Sequence, residues 1–464
     1  MDQNPEAFFR MDQLEKAVAN HERIHFIGIG GVMMSSLALE LARRGAHVTG
    51  SDRDDSPTAE MLRQHGIPVA VGHKPEYVAG AAVIVRNAAI ADTSPDIVYA
   101  RQTGTPIVER PDVLGHIMRE YPRSIGVSGT HGKSTTSGML THALICMGKH
   151  PTAFLGAPLP EINGTYTLGG SEWFVAESCE YCRSFHYLYP ETAVILNVEA
   201  DHLDYYSGIE EIIGAFRVFA SHTPENGIVV VNADNAHAMR AIAGLNRRIL
   251  TFGTGGGCCA QDIRMENGCA VYTLTEEGKP LCEIHLQVPG RHNLDNSLAA
   301  AAVLRGYGFA PAVIADAIGS YTGVLRRFQR LGTYHGAVLV DDYAHHPDEL
   351  EMTLKTAKSL GFRRVICLFQ PHTYSRTVAL RERFCEVLRL ADVALLTDIY
   401  SAREKNTFGI SSADLVLDIP GAVYTPTLEE SAEKLAALAQ PGDLILTCGA
   451  GNVNRAADLL LAGQ

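Results

Sequence analysis

Residues 124–137 read Ser-Ile-Gly-Val-Ser-Gly-Thr-His-Gly-Lys-Ser-Thr-Thr-Ser, a short apolar run that enters a glycine loop and leaves through Lys133 and a row of hydroxyls. Such a run predicts a strand, a tight loop and a helix start. Backbone N–H groups of the loop then point inward, the helix N-terminus favours anions, Lys133 can reach the β/γ-phosphates of a nucleotide and Ser134 can hold Mg²⁺. The expected ligand is a nucleoside triphosphate, bound over Gly129, Thr130, His131, Gly132, Lys133, Ser134 and Thr135. Lys133 is read as a cation for phosphate and not as a core group. The loop departs from the strict GxxxxGK[ST] spacing, whose first glycine would fall on Val127. An ordinary strand-to-helix turn is the plainer alternative.

Length sets the frame for the remainder. At 464 residues the chain has room for about three domains at roughly 150 residues each. A net charge of −13 argues against nucleic acid or an anionic membrane as main partner, while leaving room for a local basic cleft. The first twenty residues are polar and charged, unlike a signal peptide, and no long apolar stretch suits a membrane span, so a cytoplasmic protein is expected. Its ten cysteines should then be reduced. The pair Cys179-Glu-Tyr-Cys182 alone is weak evidence for zinc or redox work, and Cys258, Cys259, Cys269 and Cys282 read as buried small hydrophobes.

Three segments follow from the patterning. Residues 1–122 alternate strand and helix, with Gly28-x-Gly30-Gly31 closing the first strand and Asp52 ending the second. This resembles a dinucleotide fingerprint, which makes an NAD-dependent dehydrogenase a rival, but Met33 stands where the third glycine belongs. Residues 123–325 carry the phosphate loop and two acidic clusters after apolar runs, Glu177-Ser-Cys-Glu180 and Asn197-Val-Glu199-Ala-Asp201-His202-Leu-Asp204. Such carboxylates fall at the carboxyl edge of a sheet, where hard oxygen ligands for Mg²⁺ are needed. His292, Asn293 and Asn296 open an alanine-rich helix, able to cap it or to meet a base edge. Residues 326–464 alternate again and collect polar groups in Asp341-Asp342-Tyr343-Ala-His345-His346 and Gln370-Pro-His372-Thr-Tyr-Ser-Arg376. Adjacent histidines rarely share one metal ion, so His345 and His346 are read as helix-start hydrogen bonders. The fold class is α/β.

With GTHGKST, the E-x-x-E cluster, NVEADHLD, GRHNxxNSLAA, RRF, DDYAHHPDE and FQPHTYSRT in this order, the chain resembles the Mur ligases from about residue 23 to 455. The resemblance implies a Rossmann-like N-terminal domain for a UDP-sugar, a central P-loop-type ATPase domain and a Rossmann-like C-terminal domain for an amino acid. Within the family the motifs are most similar to those of the member that uses ATP and Mg²⁺ to join L-alanine to the lactyl carboxylate of UDP-N-acetylmuramate through an acyl phosphate. That step belongs to peptidoglycan precursor synthesis in the cytoplasm, and so to cell-wall growth, shape and division. By position, Lys133, Glu180, His202, Arg326, His345 and Arg376 would be catalytic, and Ser134, Glu180 and His202 would hold Mg²⁺. His292, Asn293 and Asn296 would face adenine, Asp342 the ribose and Arg326 the phosphates. Tyr343, His345 and Arg376 would orient L-alanine, and Gly30, Gly31, Ser35 and Asp52 would lie by the uridine diphosphate.

Several positions depart from the family pattern. Met33 and Ser36 replace glycines, Cys179 and Tyr181 flank Glu180, and Thr373 stands where many members have an arginine. Arg217 occupies the place of a lysine that some members carbamylate, so no carbamylation is expected. The nearest enzymatic rival is the recycling ligase that attaches a tripeptide to UDP-N-acetylmuramate, against which FQPHTYSRT speaks. A nucleotide-sensing scaffold without catalysis is disfavoured by Lys133, Glu180 and His202. No feature of the sequence selects an oligomeric state.

Overall fold

The computed structural model describes residues 5–87, 90–202, 205–402 and 404–463, with side chains from residue 12 onward. Asp204 lies outside the described residues. The chain divides into two compact units, one of Met1–Gln261, Thr273–Glu283 and Asp295–Ile318, the other of Asp262–Tyr272, Ile284–Leu294 and Gly319–Gln464.

The first unit holds two sheets. In the first, β1 (Arg23–Ile27), β2 (His47–Asp52), β3 (Val69–Val71), β4 (Val83–Arg86) and β5 (Ile107–Glu109) lie in the order β3-β2-β1-β4-β5, all parallel. Both faces of a parallel sheet are covered by its crossover helices, which is why β1 and β4 read as nearly unbroken apolar runs. The order reverses at β1, and the Gly28–Gly31 loop sits there, at the switch point where ligands of such sheets bind.

The second sheet is built from β6 (Arg123–Ser128), β7 (Thr152–Leu159), β8 (Gly164–Thr167), β9 (Trp173–Glu177), β10 (Thr192–Ile195), β11 (Ile228–Asn232) and β12 (Arg248–Phe252), in the order β12-β11-β10-β6-β9-β7-β8. It is parallel except for the β7–β8 pair, and past β12 come β13 (Cys258–Glu266), β14 (Cys269–Glu276) and β15 (Lys279–Pro289), whose residues are divided between the two units. Its centre is β6, flanked by β10 and β9, so the loop after β6 and the acidic segments after β9 and β10 come out side by side. Trp173, the chain's one tryptophan, is fully buried on β9 with the Tyr307 ring edge-on at 4.8 Å and the Arg123 guanidinium 4.9 Å from its ring centre. Cys258 is buried, whereas Cys259, Cys269 and Cys282 are only half-buried: Cys259 and Cys282 lie on strands with an exposed face, and Cys269 opens β14 at its end.

The second unit carries β16 (Gln329–Tyr334), β17 (Ala337–Asp342), β18 (Val365–Phe369), β19 (Val393–Leu396), β20 (Val423–Tyr424) and β21 (Leu444–Cys448) in the order β16-β17-β21-β18-β19-β20. Only β16 runs antiparallel. Strands β18 and β21 are buried along their whole length, as central strands under two helix layers must be.

Polar and steric contacts lock the two sheets of the first unit together. Glu40, fully buried, accepts from Arg43, Arg44 and the Tyr121 hydroxyl, whose oxygen lies 3.0 Å from Thr152 Oγ1. Beside this network the helix Arg110–Arg119 presses its Gly115 against the segment after β9. A Cβ at Gly115 would stand 1.9 Å from the Tyr187 carbonyl oxygen. Replacing a helical glycine by alanine ordinarily gains about 1 kcal/mol of helix propensity, whereas overpacking costs about 1–3 kcal/mol. The obstacle here is backbone and cannot rotate away, so Gly115→Ala should lower the thermal midpoint of the first unit; an unchanged or raised midpoint would refute this packing.

Candidate active site

Strand β6 ends at Ser128, and the helix Lys133–Cys146 begins five residues later. Gly129 (φ +148°) and Gly132 (φ +85°) supply backbone conformations that side chains disfavour, and the space is equally restrictive. A Cβ on Gly132 would lie 2.4 Å from Asn296 Oδ1, and one on Gly129 2.9 Å from Leu196 Cβ. The loop is held from β10's end by Asn197, whose side chain accepts from the His131 N–H at 2.8 Å and donates to the His131 carbonyl at 3.1 Å. Thr130 adds a donor to the clamp on Asn197 O, and its hydroxyl accepts from the Glu199 N–H. Thr135 follows in the first helical turn.

Lys133 departs from the reading of an open phosphate-seeking cation. Its side chain is only 12% exposed, and Nζ donates to Glu180 Oε1 at 3.0 Å and to the carbonyls of Gly129 and Thr130. Glu180 is buried to 2% exposure, and its Oε2 also lies 3.0 Å from Nζ. Burial alone would raise the Glu180 carboxyl, but the Lys133 cation and the His202 imidazole hold it below the ordinary range. Burial would likewise lower Lys133, and Glu180 outweighs it and holds it up. His202, in left-handed backbone (φ +53°), places Nε2 3.6 Å from Glu180 Oε1, and that contact raises it. The Ser134 hydroxyl points elsewhere, donating to Glu177 Oε2 at 2.7 Å. Lys133 and His202 therefore both contact Glu180, and Glu177 joins Ser134 nearby. Asn197 and Glu177 stood inside motifs without an assigned role; a polar residue ending an apolar strand was the available signal.

In the first sheet's loop, the Gly30 N–H donates to Asp52 Oδ2 at 2.8 Å, and a Cβ on Gly30 would strike that oxygen at 2.9 Å. Asp52 thus ties the ends of β1 and β2 together. Gly31 caps the helix Val32–Arg43 with backbone alone. Ser35 is buried, its hydroxyl turned back onto the Val32 carbonyl at 2.9 Å, and Ser36 does the same. At the position of the missing third glycine, the Met33 sulfur meets Arg110 Nη1 at 2.8 Å.

The second unit gathers His292, Asn293, Arg326, Asp342, Tyr343, His345 and Arg376. Asn293 Nδ2 donates to the Pro289 carbonyl at 2.7 Å at the start of the helix His292–Gly306, a helix-start use of the amide; Asn296, one turn on, is buried in the first unit. The Arg326 guanidinium, expected at phosphates, donates to Asp341 Oδ2 at 3.0 Å and to the Gly449 and Gly451 carbonyls. Asp342, expected at a ribose, accepts from the Phe328 and Ala344 N–H groups at 2.7 and 2.8 Å. Burial pushes its carboxyl up to about 6 against the pull of Arg327 and these two donors. Tyr343 lies under the Arg326 and Arg327 guanidinium groups. Beyond it His345 and His372 follow edge to face, with centroids 5.4 and 5.7 Å apart along the row, and Arg376 Nη1 is 3.5 Å from His372 Nδ1. Glu349 accepts from the His345 and His346 N–H groups; burial would raise it, but His345 and Arg327 bring it down to about 2. His346 caps the helix Pro347–Ser359, accepting from the Asp348 N–H.

Comparison with known proteins extends over nearly the whole chain. Residues 23–122 match the profile "Mur ligase family, catalytic domain", residues 127–304 "Mur ligase middle domain" and residues 326–451 "Mur ligase, glutamate ligase domain". The chain is 41% identical over 446 residues to a UDP-N-acetylmuramate–L-alanine ligase of Caldicellulosiruptor saccharolyticus, covering 95% of this chain and 98% of that one. A protein of the same name from Acetivibrio thermocellus is 41% identical over 460 residues, with 97% and 98% covered. Among solved structures, the UDP-N-acetylmuramate-alanine ligase of Thermotoga maritima superposes with a TM-score of 0.78 at 27% identity, covering 95% and 99% of the two chains. A murein peptide ligase of Psychrobacter arcticus, at 23% identity and a TM-score of 0.69 with 95% and 98% covered, shares the fold.

Two expectations follow from the electrostatics. Lys133→Ala strands a buried carboxylate, a loss of about 3–5 kcal/mol for a broken buried pair. Glu180→Gln in the same chain should restore most of it, measured as denaturation midpoints; a single variant as stable as the parent would contradict the pairing. Asp342 acts in the opposite sense, because the folded unit keeps its proton to about pH 6 while an unfolded aspartate releases it near about 3.9. The folded state binds more protons in that window, so raising the pH from 4 to 6 weakens it through this group. Asp342→Asn should flatten that slope in midpoints recorded across the window, and an unaltered slope would exclude Asp342 as its source.

Proposed function

Because the chain belongs to the Mur ligase family, we propose that it joins L-alanine to the lactyl carboxylate of UDP-N-acetylmuramate, with ATP converted to ADP and phosphate. The observation that carries this reading is the name shared by relatives at 38–42% identity over nearly all of the chain. The tripeptide-recycling ligase is the second reading, and the Psychrobacter structure supports its fold alone. The dehydrogenase reading falls with family membership.

In the proposed reaction the glycine loop with Lys133 cradles the ATP phosphates. The Lys133 ammonium, already poised by Glu180, stabilises charge that develops as the γ-phosphoryl group passes to the sugar carboxylate. Glu180, Ser134 and His202 are the proposed Mg²⁺ ligands. Glu180 suits that task as a buried carboxylate, its Oε2 now facing the Lys133 ammonium at 3.0 Å, and Ser134 would exchange Glu177 for the ion. When bound, Mg²⁺ would neutralise phosphate charge and align the carboxylate with the γ-phosphoryl group. Among the described residues no three His, Cys, Asp or Glu side chains are grouped to hold a metal unaided, so phosphate and carboxylate oxygens of the substrates are assigned the remaining ligand positions.

Gly30 and Gly31 are proposed for the uridine diphosphate, with Ser35 and Asp52 supporting the loop from within. His292, Asn293 and Asn296 are proposed for adenine, Asp342 for the ribose and Arg326 for the phosphates. Arg376 suits the L-alanine carboxylate, with Tyr343 and His345 beside its amine. Domain borders at 122 and 325 are proposed to follow the three profiles. No described helix is long and apolar enough to cross a membrane, which supports the proposed cytoplasmic setting in peptidoglycan precursor synthesis.

The reading is tested by ADP release with ATP, Mg²⁺ and UDP-N-acetylmuramate while amino acids and the tripeptide are offered in turn. L-Alanine should give turnover with a stoichiometric amide product, and calorimetry should detect the sugar nucleotide without ATP but not NAD. Turnover with the tripeptide and none with L-alanine would transfer the assignment to the recycling reaction.

A further inference from the structure

The far end of the phosphate-loop helix carries a second chemical constellation. His142 and Cys146 stand four residues apart on the helix Lys133–Cys146, hence on one face. His142 Nε2 lies 3.5 Å from Cys146 Sγ, and His142 Nδ1 lies 2.6 Å from Glu161 Oε1. Glu161 belongs to the short turn Pro160–Ile162 that follows β7. The imidazole is 7% exposed and Glu161 29%, while Cys146 is exposed to solvent.

A carboxylate on Nδ1 selects the tautomer with the proton on that nitrogen, which leaves the Nε2 lone pair directed at sulfur. The order is nucleophile, base, orienting carboxylate, the same logic as an activated hydroxyl or thiol triad. One force opposes it. A helix C-terminus disfavours an anion, an effect smaller than that of a hydrogen bond to a charged group.

We propose that Cys146, His142 and Glu161 form a nucleophilic thiol site that takes low-molecular-weight disulfides, forming a mixed disulfide at Cys146. Sγ attacks one sulfur of the disulfide as its proton passes to His142 Nε2. The S–S bond breaks, the leaving thiolate collects that proton, and one thiol is released for each mixed disulfide formed. The small disulfide is the oxidant, and any free thiol reverses the step. Nothing in this exchange draws on ATP, sugar nucleotide or amino acid.

Cys182 is the internal control, since it is the other exposed cysteine among the described residues and no imidazole is placed against it. The intact protein is treated at pH 7 with 5,5′-dithiobis(2-nitrobenzoic acid), and labelling at each cysteine is followed by peptide mass mapping. Cys146 should react at least about tenfold faster than Cys182, and the difference should vanish in urea. His142→Asn should remove most of the advantage, about tenfold to a hundredfold for a lost general base. Glu161→Gln, which can still accept from Nδ1, should remove part of it. Equal rates at Cys146 and Cys182 in the parent protein would overturn the proposal without any variant. So would a folded His142→Asn chain, judged by its thermal midpoint, in which Cys146 reacts as fast as before.

Discussion

Two opposite charges, Lys133 and Glu180, face each other out of water at the carboxyl edge of the second sheet, and the surrounding architecture depends on that contact. Neither is tolerable there alone, since an unpaired buried ion carries a penalty of several kcal/mol. The pair is possible because β6 and β9 are direct neighbours, so a residue starting the helix after one strand meets a residue shortly after the other. Tyr206 then pins the Glu180 backbone by its hydroxyl, and Asn197 pins the loop on the opposite side. The loop is therefore held in one shape by its own side chains, and a site built on it would need little further ordering at binding.

The same principle recurs in the second unit with different partners. Arg326 and Asp342 fasten the carboxyl ends of β17 and β21 to the segments beside them, through Gly449, Gly451, Phe328 and Ala344. Glu349 does the equivalent for the His345–His346 turn, drawing two backbone donors and the neighbouring Arg327 guanidinium onto one half-buried carboxylate. These groups hold the backbone from inside, and Arg376 and His372 lie beyond them, beside His345. Polar residues at strand ends thus divide into those that hold the backbone and those left to meet a ligand.

That division marks what the sequence reveals. The alternation of strands and helices, the glycine loop and the three residues Lys133, Glu180 and His202 were legible because each rests on a local pattern or an ordered set of motifs. The partner of each polar side chain was not. Asn197 reaches His131 across 66 residues, Arg326 reaches Gly449 across 123, and Ser134 selects Glu177 over Glu180 only because Glu177 ends the adjacent strand. Such pairings depend on strand order, and strand order is a property of the whole sheet. Lys133 shows the difficulty most plainly: its role as a cation was readable, but its near-complete burial was not.

Trp173 has a consequence of another kind. It is the single indole in the chain, packed on β9 within the first unit under the Arg123 guanidinium and beside Tyr307. Its emission therefore reports the polarity and packing of that body alone. The second unit contributes only tyrosine light, so excitation at the red edge, which selects the indole, follows the unfolding of the first unit, without a label and without cutting the chain.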